Sequence, residues 1–257
     1  MNHKNSTLSA LIITYNEIDH IDAVIEHLNF ADEIIVVDSY STDGTFERLS
    51  ELAHVKVILH EFKNFAEQRN FAIEQATCEW ILFIDADERL PEELQLEIIE
   101  TVKKDTSIQA YKIPRRFMFN DKVMRYSGLQ TDRVFRLFKK DIAKYRADKL
   151  VHELLDFKGD HRILKHAMLH YSFSDYESYK RKTEHYGLLK AQELFKNGKR
   201  PNWFHFYIRP AYKFLTNYVF RLGFLDGKEG YIICTLNAYG VFFRYKALEQ
   251  LFISAPK

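Results

Sequence analysis

The feature that most limits the possible folds is an unbroken apolar run from Trp80 to Ile84 that leads directly into Asp85-Ala86-Asp87. Such a run is typical of a strand that is buried on both faces, as in the middle of a mainly parallel sheet. Because residues i and i+2 of an extended chain point to the same side, Asp85 and Asp87 can present two carboxylates to one point. We predict that both bind a divalent cation, Mg²⁺ or Mn²⁺, that bridges a diphosphate. The alternative is a strand that ends in an ordinary polar turn.

Strand and helix patterns alternate along the N-terminal part of the chain. Strands are predicted over residues 8–14, 33–38, 55–59 and 80–84. A capping box of Asn64 and Glu67 predicts the start of the helix after the third strand, and Pro91 with the two acids that follow it predicts the start of another. Such alternation favours right-handed βαβ units. We therefore assign the chain to the α/β class, with a mainly parallel sheet flanked by helices.

The turns after the first two strands are polar, and the first of them contains no glycine. Gly44 is the first glycine of the chain, so the turn after the first strand cannot be a dinucleotide-binding Gly-x-Gly-x-x-Gly or a P-loop. Dehydrogenases, P-loop kinases and the common methyltransferases are therefore disfavoured. The first turn instead reads Thr14-Tyr15-Asn16-Glu17, and a polar run from Asp38 to Thr45 follows the second strand. Since both turns share a sheet edge with Asp85 and Asp87, we expect a binding site at that edge.

The composition disfavours several other classes of protein. The 37 basic and 36 acidic side chains give a formal net charge of +1, which argues against general nucleic-acid binding. The two cysteines, Cys78 and Cys234, have no metal-type spacing and fit a reducing cytosol. No stretch reaches the roughly 20 apolar residues of a membrane span, and the apolar run over 8–13 is too short for a signal sequence. We expect a cytoplasmic protein.

Four short segments together resemble one known family. They are Thr14-Tyr15-Asn16-Glu17, the run from Asp38 to Thr45, Gln68-Arg69-Asn70 and Asp85-Ala86-Asp87. In order and spacing they resemble the nucleotide-sugar half of family 2 glycosyltransferases, which have the GT-A fold. Within that family, the chain is most similar to small bacterial enzymes that add sugars to lipopolysaccharide core or related cell-surface glycans. The resemblance implies a nucleoside-diphosphate-sugar donor, most often a UDP-sugar, a divalent metal and inversion at the anomeric carbon.

The resemblance also implies which residues bind the donor nucleotide. They are Thr14, Tyr15, Glu17, Asp38, Arg69 and Asp85. Asp38 would contact the base, and the guanidinium group of Arg69 would reach the uracil or the diphosphate. Plainer alternatives are a capping role for Asp38, an ordinary strand-to-helix turn after the first strand, and a solvated Arg69.

Inverting transfer needs a base that takes the proton of the attacking hydroxyl group. The family places an acid after the later strands, and Glu153 is our candidate, although many relatives carry Glu-Asp where this chain has His152-Glu153. Asp132 is the second candidate, and a salt-bridged surface glutamate is the plainer interpretation of Glu153. The resemblance further implies that His170 adds a nitrogen ligand to the cation. Glu153 and Asp87 are thus the expected catalytic residues.

The alternation of strands and helices fades beyond about residue 105. We divide the chain into a GT-A catalytic domain over 1–173 and a helical C-terminal extension over 174–257. Residues 111–114 and 133–138 are predicted as strands, the second of them half-exposed, with arginines that are solvated or that contact phosphate on the acceptor. Between these strands, a segment that starts with Arg115-Arg116-Phe117 is predicted as a mobile loop that shapes the acceptor site.

The C-terminal extension is basic and aromatic. Between residues 196 and 228, seven basic residues stand against the single acid Asp226, a net charge of +6. Arg209, Lys213 and Arg221 fall along one helical flank, with aromatic residues between them. A cationic flank with an aromatic body is typical of a helix in a membrane interface. We favour peripheral contact with the inner face of the cytoplasmic membrane. The alternative is a helix packed on the catalytic domain, with its aromatic residues in the core.

The function expected from these features is an inverting, metal-dependent glycosyltransferase. It would move a sugar from a nucleoside-diphosphate-sugar to a hydroxyl group of a cell-surface glycan or lipid-linked acceptor such as lipopolysaccharide core. A sugar nucleotidyltransferase shares the architecture but requires a Gly-rich, lysine-bearing first turn. A phosphatase with an Asp-x-Asp nucleophile would carry that pair after its first strand. A non-catalytic, membrane-peripheral binding protein on a GT-A scaffold is the third alternative.

Overall fold

The computed structural model describes residues 6–104, 107–142, 144–145, 155, 157, 159–172 and 175–254. It divides into two compact units, Met1–Arg115 with Asp132–His170, and Arg116–Thr131 with Tyr171–Lys257. The first unit contains the polar strand ends, and the second contains the long C-terminal helices. Residues 116–131 were predicted to belong to the catalytic domain, whereas in the structure they are grouped with the C-terminal helices.

Ten strands form one sheet among the described residues. They are β1 (Leu8–Thr14), β2 (Glu33–Asp38), β3 (Val55–Leu59), β4 (Trp80–Phe83), β5 (Glu88–Arg89), β6 (Ala110–Phe119), β7 (Lys122–Val123), β8 (Arg133–Lys139), β9 (His161–Ile163) and β10 (Met168–His170). Their order across the sheet is β3-β2-β1-β4-β8-β6-β10-β5, and β7 and β9 pair with β6. The four strands β3, β2, β1 and β4 are parallel, and β8 joins them antiparallel to β4. The predicted α/β class with a parallel sheet is thus confirmed in the N-terminal part.

Seven α-helices are present in the described part of the chain. They are α1 (Ile18–Glu26), α2 (Thr45–Ser50), α3 (Phe65–Gln75), α4 (Glu92–Lys103), α5 (Tyr176–Lys196), α6 (Trp203–Leu215) and α7 (Gly227–Ser254). The predicted cap of α3 is present, because the Asn64 side chain accepts a hydrogen bond of 2.9 Å from the backbone N–H of Glu67. The structure contains no helix that could span a bilayer within the residues it describes.

Strand β4 is buried on both faces, as its unbroken apolar run predicts. Trp80, Leu82 and Ile84 belong to one core cluster, which includes residues of α1 and α4. Ile81 and Phe83 belong to a second cluster, which includes residues of α3. Successive side chains of a strand point to opposite faces, so one strand supplies both clusters. Each fully buried large apolar side chain contributes about 1.5–3 kcal/mol relative to exposure, and this holds the end of β4 in a fixed position.

Residues 115–117 lie in strand β6, so the prediction of a loop over this segment is wrong there. The strand continues because its backbone remains paired, with β8 up to Pro114 opposite Arg133 and with β7 at Met118 opposite Val123. The following turn packs within the second unit. The buried carboxylate of Asp226 accepts hydrogen bonds from the backbone N–H groups of residues 125 and 126, at 3.1 and 2.9 Å.

In the second unit, α5 and α6 both pack against α7. The crossing of α5 and α7 is close at two glycines. A Cβ atom on Gly240 would lie 2.4 Å from Cγ2 of Thr183, and one on Gly187 would lie 3.0 Å from a ring carbon of Phe243. Only residues without a side chain allow helices to approach this closely, so these glycines fix the spacing of the two helices.

Candidate active site

The turns after β1 and β2 are hydrogen-bonded to each other. In the sheet register Thr14 lies opposite Asp38, at the carboxyl ends of the two strands. The backbone N–H of Asn16 donates to Ser41 Oγ at 2.8 Å, and the backbone N–H of Glu17 donates to Thr45 Oγ1 at 3.0 Å. Because each turn satisfies backbone donors of the other, the two form one ordered polar edge.

The side chains that the sequence assigned to the nucleoside occupy different environments at this edge. Asp38 is fully buried, and its two oxygens accept hydrogen bonds from the backbone N–H and the hydroxyl group of Ser41, at 2.8 and 2.5 Å. This is the turn-stabilising alternative, and the ligand role of Asp38 stays a prediction. Thr14 is buried, and its hydroxyl group has no hydrogen-bond partner in the described part of the chain. Tyr15 is 57% exposed, so its ring is open to a ligand.

The Gln68-Arg69-Asn70 segment ties α3 to three neighbouring elements. The Gln68 side-chain amide donates to Ser39 Oγ at 3.0 Å. The Asn70 side chain donates to the carbonyl group of Tyr145 at 2.9 Å and accepts from its backbone N–H at 2.8 Å. Arg69 is buried, with its guanidinium carbon 4.5 Å from the centre of a core aromatic ring. The alternative prediction, that Arg69 is solvated, is therefore wrong.

Asp85 lies between two buried arginines. Its Oδ1 accepts a hydrogen bond of 2.7 Å from Nη2 of Arg69, and its Oδ2 accepts one from Nη2 of Arg136. Burial alone would raise the pKa of Asp85, but the guanidinium groups of Arg136 and Arg69 hold it well below its ordinary value. The carboxylate is therefore ionised and fixed. Both oxygens of Asp85 are already bonded to arginines, so Asp85 could bind a cation only through its remaining lone pairs. Its role as a metal ligand stays a prediction.

Glu88 completes this network and was not predicted as a site residue. It is fully buried, and its Oε1 accepts a hydrogen bond of 2.7 Å from Arg136 and lies 3.5 Å from Nη1 of Arg115. Its Oε2 accepts from the backbone N–H of Asp85 at 3.0 Å. Arg115 in turn donates to Asp132, the second candidate base, at 2.7 Å. Burial raises the pKa of Glu88, so its charge depends on the arginines around it.

Asp87 and His170 form the pair best suited to a cation. The antiparallel ladder of β5 and β10 places His170 opposite Glu88, and this brings Nε2 of His170 to 3.1 Å from Oδ2 of Asp87. Neighbouring ligands of an octahedral cation with bonds of about 2.1 Å lie roughly 3 Å apart, so this spacing fits a shared Mg²⁺ or Mn²⁺. No cluster of three or more His, Cys, Asp or Glu suited to a metal occurs among the residues described. Two protein ligands with the rest from phosphate and water is the usual arrangement for Mg²⁺.

Residues 9–169 match the model of one protein family, Glycosyl transferase family 2. The match covers more than half of the 257 residues and includes every predicted site residue except His170. The chain belongs to glycosyl transferase family 2. The predicted family and enzyme class are thereby confirmed.

Relatives of this family 2 glycosyltransferase match along most of its length. An uncharacterized glycosyltransferase of Rickettsia bellii is 30% identical over 255 residues, which cover 95% of this chain and 86% of that protein. The lipopolysaccharide core biosynthesis glycosyltransferase LpsC of Rhizobium meliloti is 28% identical over 251 residues, or 93% of each chain. The solved mannosyltransferase PcManGT of Pyrobaculum calidifontis, in complex with GDP-Man and Mn²⁺, aligns with a TM-score of 0.50 at 16% identity, over 98% of this chain and 76% of that one. The predicted GT-A fold is confirmed.

Glu153, the predicted base of the glycosyltransferase, lies outside the residues that the structure describes. Asp132, the second candidate, is described and is ion-paired with Arg115 at 2.7 Å. Neither assignment is decided by these observations, and both stay predictions.

Glu17 of the glycosyltransferase has a perturbed acidity. Burial and the negative charges of Asp87, Asp43 and Asp85 raise the pKa of Glu17 from 4.5 to about 7. Acidic groups that repel one another at a polar edge favour a cation between them. Glu17 therefore contributes to the negative potential around Asp87.

Replacing Glu17 with glutamine should stabilise the metal-free protein clearly at pH 8 and much less at pH 5. Because the pKa is about 7 in the folded state and 4.5 ordinarily, the folded state binds more protons between these values, and wild-type stability falls as the pH rises through them. After a discount for partial solvation, the gain at pH 8 should be about 1–2 kcal/mol. Urea unfolding in EDTA at both pH values measures it. Glu26→Gln, at an exposed position of α1, should show no such pH dependence, and an equal gain at both pH values for Glu17→Gln would contradict the prediction.

Proposed function

We propose that this family 2 enzyme transfers a sugar from a nucleoside-diphosphate-sugar to a hydroxyl group of a cell-surface glycan or lipid-linked acceptor, with inversion. The observation that carries the proposal is the pairing of Asp87 with His170 at 3.1 Å, beside the arginine-bound Asp85. It lies at the carboxyl end of β4, where open α/β sheets bind their ligands. The similarity to LpsC supports an acceptor related to lipopolysaccharide core.

Asp87 and His170 would hold Mg²⁺ or Mn²⁺ at this edge. Bound there, the cation would neutralise the charge that grows on the leaving nucleoside diphosphate, as a Lewis acid. The Mn²⁺ present with GDP-Man in PcManGT supports a cation of this kind. Arg69 and Arg136 hold Asp85 ionised and in one position, and we propose that Asp85 thereby positions Arg69 toward the donor. Thr14, with its buried hydroxyl group, and the exposed Tyr15 would contact the nucleoside.

The assay that tests this function measures the nucleotide released from sugar donors. The protein is incubated with sugar donors in the presence of Mn²⁺. UDP-sugars are tested because the family resemblance most often implies them, and GDP-sugars because PcManGT was solved with GDP-Man. Slow release of one nucleotide, abolished by EDTA, is the expected result. If no donor is bound or hydrolysed with any divalent cation, the transferase proposal fails.

We propose Glu153 as the base, and a pair of variants separates it from Asp132. Glu153→Gln should retain donor binding and lower turnover by at least about 100-fold, since a positioned base contributes typically 10²–10⁴-fold. Asp132→Asn should change turnover much less, because Asp132 is already engaged by Arg115. Turnover with a soluble glycan acceptor and donor binding by calorimetry are the two readouts. If Asp132→Asn lowers turnover more than Glu153→Gln does, Asp132 is the base.

We also propose that the protein binds peripherally to the inner face of the cytoplasmic membrane through α6 and the turn after it. Trp203, Tyr207, Tyr212 and Phe220 are 67%, 70%, 68% and 78% exposed. Asp226, the only acid between residues 196 and 228, is buried, so the acid does not offset the basic residues at the surface. Exposed aromatic residues with uncompensated positive charge complement an anionic lipid surface. Co-sedimentation with phosphatidylglycerol vesicles, against phosphatidylcholine alone, tests this location.

A further inference from the structure

The C-terminal unit contains a cavity of about 320 Å³ between α5, α6 and α7. Each of the three helices contributes one basic side chain to its lining: Lys182, Lys213 and Arg244. None of the lining residues within the described part of the chain is acidic. We infer that this cavity binds a phosphate group, carried by a small phosphate ester or by a lipid headgroup. The inference concerns the C-terminal helices and does not rest on the transferase reaction proposed above.

The three basic residues line one cavity, and no carboxylate is among the described residues of its lining. Lys182 Nζ donates a hydrogen bond of 2.7 Å to Ser172 Oγ, a neutral partner. The Nε atom of Arg244 is buried and has no hydrogen-bond partner within the described residues. Partial burial and the neighbouring charges of Arg221 and Arg244 lower the pKa of Lys213. Like charges near each other and a buried donor without a partner both cost free energy, and a bound anion would offset both.

The neutral part of the lining and the size of the cavity indicate the kind of anion. The hydroxyl group of Tyr179 donates to Oδ1 of Asn237 at 3.1 Å, so the Asn237 side chain is held in place with its amide group as a further donor. A guanidinium group and ammonium groups are the usual binding partners of phosphate oxygens. A volume of about 320 Å³ is at the lower end for ligand pockets, which suits a phosphate ester of a few atoms.

The glycines of the α5–α7 crossing make the cavity a fixed feature of the helix packing. Gly187 and Gly240 both line the cavity, and a Cβ atom on Gly240 would lie 2.4 Å from Thr183. These contacts set the spacing of the two helices, and therefore also the spacing of the positions of Lys182 on α5 and Arg244 on α7. A site that is formed before binding loses less conformational entropy on binding.

The test compares the full chain with the double variant Lys213→Gln/Arg244→Gln. The matched control is Lys190→Gln/Lys196→Gln, which removes the same two charges from exposed positions on α5. The probes are inorganic phosphate and glycerol 3-phosphate, measured by calorimetry, and phosphatidylcholine vesicles with and without phosphatidylglycerol, measured by co-sedimentation. Far-UV circular dichroism and the unfolding midpoint check the fold. If Lys213→Gln/Arg244→Gln fails to fold, Arg244→Lys replaces it, since lysine retains the charge but not the fork of donors.

We expect the wild type and the control to bind, and the cavity variant to bind about tenfold or more weakly, because charge-assisted hydrogen bonds are lost. The affinity of Arg244→Lys for the probes should lie between those of the wild type and the cavity variant. Binding of the soluble phosphates identifies a small phosphate ester as the ligand. A lipid headgroup is identified if the soluble phosphates do not bind and if the cavity variant, but not the control, binds phosphatidylglycerol vesicles more weakly than the wild type. The inference is overturned if the wild type binds no probe, or if the cavity variant and the control bind equally well. Loss of nucleotide release in the donor assay, with phosphate binding intact, would refute only the transferase proposal.

Discussion

Asp87→Ala should reduce sugar transfer by at least about a thousandfold while the protein remains folded. Lewis-acid stabilisation by a metal is worth several kcal/mol in the transition state, and Asp87 is the carboxylate that lies 3.1 Å from His170. The variant should also bind Mn²⁺ more weakly. Its stability should not fall, because the negative charge of Asp87 is among the causes that raise the pKa of Glu17, and its removal relieves that repulsion.

Three measurements make the Asp87 prediction specific. Mn²⁺ affinity is followed by electron paramagnetic resonance, nucleotide release by the donor assay, and folding by the unfolding midpoint. Asp22→Ala removes an exposed aspartate that is ion-paired with Arg48, and it should leave all three unchanged. His170→Ala should weaken Mn²⁺ binding in the same direction as Asp87→Ala. Full activity in Asp87→Ala, or unchanged Mn²⁺ affinity in both variants, would rule out the proposed metal pair.

Local patterns were enough to predict the parallel half of the sheet. Leu8–Thr14, Glu33–Asp38 and Val55–Leu59 are strands as predicted. The first two are almost entirely buried, in agreement with their apolar runs, whereas the third is a partly exposed strand at the end of the strand order. The polar turns after them were expected to share an edge, and they are hydrogen-bonded to each other. In these elements the information that determines the structure lies within about ten neighbouring residues.

The arginine network was not predicted, because its partners are far apart in the sequence. Arg136 meets Asp85 and Glu88 from 51 and 48 residues away. Regular alternation along β8 would not have shown it either. The pairing of β8 with β6 passes from Leu137 to Phe135 and skips Arg136, and Val134 and Phe138 pack in different core clusters. The arginines of 133–138 were predicted to be solvated or to contact phosphate, whereas Arg136 is buried.

The segment that starts with Arg115-Arg116-Phe117 was misjudged for a related reason. Residues 115–117 are polar and basic in part, which is typical of a loop, yet they lie in β6. Arg115 is accommodated there by long-range partners, Asp132 at 2.7 Å and Glu88 at 3.5 Å. Pairing between distant strands overrides the local preference of such a segment.

Arg136→Met should destabilise the protein by about 3–5 kcal/mol, because it leaves a buried carboxylate without its main partner. Glu88 is fully buried, and Asp85 would lose one of the two arginines that donate to it in the described part of the chain, keeping Arg69. The loss should be smaller at pH 5 than at pH 8. A carboxyl group whose pKa is raised in the folded state favours folding at low pH and loses that contribution as the pH rises, and burial without Arg136 would raise the pKa of Glu88 further.

The comparison that isolates this mechanism is the double variant Arg136→Met/Glu88→Gln. If the buried charge of Glu88, left without Arg136, causes the loss of stability in Arg136→Met, the neutral glutamine should restore roughly 1–2 kcal/mol of the free energy of unfolding. The pH dependence of that loss should then disappear. Arg133→Met, at an exposed position of the same strand, should change the free energy of unfolding by less than about 0.5 kcal/mol. Equal unfolding midpoints for Arg133→Met and Arg136→Met would mean that the network adds no net stability. A double variant less stable than Arg136→Met alone would mean that the uncompensated charge of Glu88 does not cause the loss.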